Sequence, residues 1–149
     1  MREILFRGKH ATIGNWEYGY YVFVPNWHGK EKHYIQTLDD DRDLGLIHSV
    51  SPETVGQFTG LTDKNGVKVF EGDILKIAKK SDSLGTYYYP PVEYPVNVFV
   101  RWDLCAWLWE VRGKEGPYYI GFPEAWCHYE CKVIGNIYEN PELLEGEDA

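Results

Sequence analysis

Three groups of residues could do chemistry, and their spacing decides how far each reading goes. In "LDDDRDLG" (Leu38 to Gly45), Asp39, Asp41 and Asp43 alternate like the first ligands of an EF-hand calcium loop. Such a loop needs Gly at its sixth position and Glu at its twelfth, where this chain has Leu44 and Val50. Counting from Asp63 fails in the same way, because the twelfth residue is Ile74. In "CHYEC", Cys127, His128 and Cys131 offer soft donors that could hold zinc with Cys105 or another histidine. The spacing departs from paired CxxC knuckles, and buried thiols beside a surface imidazole are the simpler reading. Glu71 and Asp73 could act as an acid/base pair, but a turn-capping Asp beside a solvated Glu accounts for both. His10, His28, His33 and His48 stand in no recognisable relation to a Ser, Cys or carboxylate pair, and no Walker loop, GxGxxG, GxSxG or HExxH occurs. No catalytic, cofactor-binding or metal-binding residue is therefore assigned, and no cofactor is expected.

The elements that would position side chains are strands. In "WEYGYYVFV", Trp16, Tyr18, Tyr20, Val22 and Val24 fall on one face, and in "VNVFVRW" so do Val96, Val98, Val100 and Trp102. Both follow the two-residue repeat of a strand and not the 3.6 of a helix. "WLWEV" repeats the pattern after "DLCA", so residues 96 to 112 read as an antiparallel hairpin. "EILFRG", "HYIQTL", "VKVF", "DILKI", "YYIGF" and "KVIGNIY" are further strands. Short helical turns are expected from Pro52 and from Pro123, each with Pro in the first turn. Leu38 to Gly45 and Lys79 to Pro95 read as loops, the second because its three prolines cannot donate to a central ladder.

"QFTGLTDKNGVKVFEGDIL" then reads as turns and not as a ligand loop. Asn65-Gly66 is a favoured pair for a two-residue type I′ hairpin turn, which needs positive φ at both positions. Gly72 lets the chain bend, and Asp73 can accept hydrogen bonds from nearby backbone N–H groups before the next strand begins.

Bulk composition narrows the partners. The 149 residues are 44% hydrophobic and carry 12 Tyr and 6 Trp, enough for one ordinary domain with a β-leaning core. A net charge of -8 repels phosphate backbones, so nucleic-acid binding is disfavoured without a local basic patch. Arg101, Arg112 and Lys76 to Lys80 are the candidates for such a groove. Three cysteines and the absence of a signal-like start point to a reducing cytoplasm, and no apolar run approaches the roughly 20 residues of a membrane helix.

"MREILFRGKH", "NWEYGYYV", "SPETVGQFTGLTDKNGVKVFEGDIL" and "VIGNIYENPELL" together resemble the YopX family of small proteins encoded by bacteriophages and prophages. The resemblance touches the start, middle and end of the chain. It implies an all-β fold with a barrel-like C-terminal part entered through "EGDIL", expression in the host bacterial cytoplasm, and self-association. It supplies no activity to transfer and no catalytic residue.

The expectation is an all-β protein of mainly antiparallel sheets in one or two small, SH3-like barrel bodies. It is one YopX-like unit with a looser division near residue 50, into an N-terminal β part (1–50) and a barrel-like part (51–141), ahead of a frayed tail (142–149). The expected role is accessory and non-enzymatic, through protein contacts that include a homo-oligomer. Tyr87, Tyr88, Tyr89, Tyr94, Trp102, Trp107 and Trp109 are the candidate contact surface, since Tyr and Trp suit interfaces as well as cores. A nucleic-acid-binding barrel and an uncharacterised enzyme are the alternatives.

Overall fold

The computed structural model describes residues 1–39, 44–80, 94–113, 116–121 and 129–145. Its eleven strands are β1 (Phe6–Lys9), β2 (Trp16–Trp27), β3 (Lys30–Leu38), β4 (Leu44–Ser49), β5 (Gly56–Thr62), β6 (Lys68–Phe70), β7 (Asp73–Lys79), β8 (Val96–Asp103), β9 (Ala106–Gly113), β10 (Gly116–Gly121) and β11 (Tyr129–Asn136). The fold is all-β, with two antiparallel sheets, one of them curled into a half-barrel. Pro52–Thr54 forms a single 3₁₀ turn, as the Pro-initiated start suggests, while the helix expected from Pro123 lies outside the described residues.

The chain divides into compact units Met1–Gly60 and Leu61–Ala149, against an expected loose division near residue 50. In the first unit the strand order is β4-β3-β2-β1-β5. β4 and β5 are elements that periodicity alone does not mark. "LGLIHS" has no alternation, and "GQFTGLT" carries two glycines that weaken its strand signature. Both are recruited by neighbours: Leu38 pairs with Leu44, and Phe6 with Gln57. Two glycines allow the long β2–β3 hairpin to pack closely with its neighbours. A Cβ on Gly19 would sit 2.0 Å from the Gln36 carbonyl oxygen, and one on Gly45 would sit 2.8 Å from Thr37 Oγ1. The buried apolar set here is small, Ile35, Val50 and Phe58.

The second unit has a denser interior. Its sheet runs β10-β9-β8-β7-β11. One face buries Leu75, Ile77, Val98, Val100, Trp109, Val111 and Tyr129, and the other buries Ile74, Phe99 and Leu144. Consecutive residues Ile74 and Leu75 thus serve opposite faces, as the pleat requires.

Two aspartates fix its turns. At the first, the expected two-residue type I′ turn is replaced by a three-residue connection. Asp63 N–H donates to the Val67 carbonyl (2.8 Å), Gly66 N–H donates to the Asp63 carbonyl (3.0 Å), and only Gly66 takes positive φ, at 79°. This is a turn closed by a glycine bulge. The cause is the Asp63 side chain, whose Oδ1 accepts the N–H of Asn65 (2.8 Å) and of Val67 (3.0 Å) and so stabilises the longer loop. Its Oδ2 accepts the Val133 N–H (3.0 Å), tying the hairpin to β11 where that strand's register shifts. Burial acts to raise the Asp63 pKa, but these three N–H groups and the Lys132 charge outweigh it and hold the carboxyl below its ordinary range. At the second turn Gly72 takes φ 85°, donates its N–H to the Val100 carbonyl and accepts the Ile137 N–H. Asp73, 2% exposed, accepts the Phe70 N–H at 2.8 Å.

Candidate functional site

The sequence-selected residues do not converge on one site. Tyr87, Tyr88 and Tyr89 lie outside the described residues, as do Asp41, Asp43, Cys127 and His128 from the calcium and zinc readings. Trp109 is fully buried in the core and leaves the candidate surface: its position on β9 points it at Tyr129, 5.7 Å away and edge-on. Tyr94 also turns inward. Its ring stacks on Tyr129, its hydroxyl lies 3.1 Å from that of Tyr129, and Lys79 Nζ sits 5.1 Å over its face.

Trp102 and Trp107 remain together, paired across the β8–β9 hairpin with ring centroids 5.0 Å apart. Trp102 is about half exposed, and Trp107 packs against the core. The connection is a two-residue loop, Leu104-Cys105, between the paired Asp103 and Ala106. Both loop residues take positive φ, 50° and 60°, which Asn-Gly would adopt far more cheaply. Asp103 stabilises this tip by accepting the Leu104 N–H through Oδ1 (2.8 Å). Arg101 holds it from behind, donating to Asp103 Oδ2 (2.8 Å) and to Glu110 Oε2 (2.7 Å). The result is a braced tip with Leu104 82% exposed and a free thiol at Cys105.

Those same ion pairs bear on the basic groove considered for this region. Arg101 is matched by two carboxylates and has little charge left to offer a phosphate. Cys131, the described member of the zinc reading, is a buried free thiol whose burial pushes its pKa up to about 12. Among the described residues no three His, Cys, Asp or Glu side chains cluster as a metal site would require.

A second surface was not flagged by any motif. β4 ends its sheet, and its outer edge has no strand partner among the described residues. Leu44, Leu46 and Ile47 on it are 71%, 73% and 53% exposed. Toward β3 the strand is well held: the Gln36 side-chain amide donates to the Gly45 carbonyl, and Thr37 Oγ1 to that of Leu46. β4 carries no Lys, Arg, Pro or carboxylate among its six residues, so it lacks the usual protections of an edge. The signal available in the sequence was "LGLI" following an acidic run, an apolar stretch with no polar alternation.

The fold is that of an all-β protein of two antiparallel sheets, and comparison with known proteins gives its family. The model of the YopX protein family matches residues 6–145, and the chain belongs to that family. A solved structure, described as the crystal structure of protein EF1440 from Enterococcus faecalis, shares the fold. It has a TM-score of 0.55 and 20% identity, over 97% of this chain and 99% of that one. No curated protein matches.

Proposed function

We propose that this chain is a phage- or prophage-encoded accessory protein of the host cytoplasm, non-enzymatic, working through protein contacts that include contacts with itself. The open β4 edge carries the reading. An apolar edge strand with no outer strand partner among the described residues is a template for another strand, and pairing two copies antiparallel along it would satisfy its outward backbone groups and cover Leu44, Leu46 and Ile47. The exposed Leu104 tip offers a second contact point in the other unit. Support for a non-enzymatic role comes from where the buried acids are spent. Asp63 and Asp73 hold backbone N–H groups, and Glu110 holds Arg101, so each has a structural task.

Light scattering over a concentration series tests this. The native chain is expected to gain mass with concentration, and Leu46→Lys, which places a charge on the edge, is expected to remain a monomer. A native chain that stays monomeric throughout, or a Leu46→Lys variant that associates as the native chain does, would contradict the reading.

A further inference from the structure

The strand residues of the first unit are sorted by charge. In β1 to β5 every cation, Arg7, Lys9, Lys30 and Lys32, lies on one face by strand parity and pairing, and both carboxylates, Glu17 and Glu31, lie on the other. The cationic face also carries four rings, Trp16, Tyr18, Tyr20 and Tyr34, since Arg7 pairs with Tyr18, Lys9 with Trp16, Val22 with Tyr34 and Val24 with Lys32, while Phe6, Tyr21 and Phe23 lie on the other face. Tyr18 and Tyr20 are 46% and 47% exposed on it. Trp16 is set by a guanidinium, with Arg7 Cζ 4.5 Å from its ring and Lys9 Nζ at 5.8 Å. The acidic balance of the whole chain, -8, makes this local segregation the more informative.

From this we infer that the β1–β2–β3 face is a binding surface for single-stranded nucleic acid, with Tyr18, Tyr20 and Tyr34 as stacking rings and Lys9, Lys30 and Lys32 as phosphate contacts. Rings on alternate residues of one strand stand roughly 7 Å apart. A splayed single strand can follow that step, whereas duplex bases are held about 3.4 Å apart and hide their faces. The surface is distinct from the β4 edge and does not depend on self-association. It also moves the nucleic-acid reading away from Arg101, whose charge is already matched.

The test is fluorescence anisotropy of a labelled 20-nucleotide oligothymidylate with the full chain, in 50 and 200 mM salt. With three lysine contacts the logarithmic salt slope is about -2, so affinity should fall roughly 20-fold over that range. Tyr18→Ala/Tyr20→Ala should weaken binding at least fivefold. Lys30→Glu should weaken it too, while Lys64→Glu, the same charge change in the other unit, should leave it within twofold. Circular dichroism confirms that each variant is folded. Flat titrations at 50 mM salt would overturn the inference. So would equal binding to a duplex of the same length, or equal losses in Lys30→Glu and Lys64→Glu. Loss of a homo-oligomer in Tyr18→Ala/Tyr20→Ala without loss of oligonucleotide binding would assign the face to a second copy instead, and would also overturn it.

Discussion

The two units solve the same problem differently. The second buries apolar residues on both faces of its sheet and ties its turns with Asp63 and Asp73. The first has strands just as long but buries little more than Ile35, Val50 and Phe58, and leaves Tyr18, Tyr20, Phe23, Leu46 and Ile47 open. Buried apolar packing is thus concentrated in the second unit, while most of the exposed large apolar residues lie in the first.

The largest way to break that comparison is Trp109→Ala. Removing a fully buried ring from the second unit should cost about 4 kcal/mol in denaturant unfolding, whereas Tyr20→Ala in the first should change it by less than about 1 kcal/mol. Equal losses would erase the distinction. Next is Gly19→Ala, predicted to cost about 3 kcal/mol because its Cβ would meet the Gln36 carbonyl at 2.0 Å. A near-neutral result would mean that the β2–β3 hairpin shifts freely.

Asp63→Ala should cost about 2 kcal/mol, since three N–H groups lose their acceptor. Asp63 also sets a pH dependence. Its folded pKa is lowered below the unfolded value of about 3.9, so its contribution is present above that value and disappears as pH falls through the folded pKa. Unfolding midpoints measured from pH 6 to 2 should show an acid limb that is shallower in Asp63→Asn. An unchanged limb would sink the assignment. The smallest effect concerns the thiols. Peptide mapping after brief labelling at pH 8 should find Cys105 modified, and Cys131, buried with its pKa near 12, modified only on unfolding.

Much of the second unit was legible in sequence because alternation, Gly72 and Asp73 are local signals. Val98 and Val100 announce one apolar face of a strand before any neighbour is known. What was not legible depended on partners distant in sequence. Asn65-Gly66 marks a tight turn, but the extra residue in it comes from Asp63, which also reaches Val133, 70 positions away. Trp102, Trp107 and Trp109 look alike in sequence, yet they range from exposed to fully buried by their place along one hairpin. β4 hid in the apolar tail of an acidic loop, because an edge strand takes its conformation from a single neighbour and need not alternate.

Hydrogen exchange of the β4 amides, Leu44–Ser49, followed as protein concentration is raised a hundredfold, tests the central claim most directly. The account predicts that their protection increases with concentration while that of the β7 amides, Asp73–Lys79, stays constant. Protection in β4 that is the same at every concentration would contradict it.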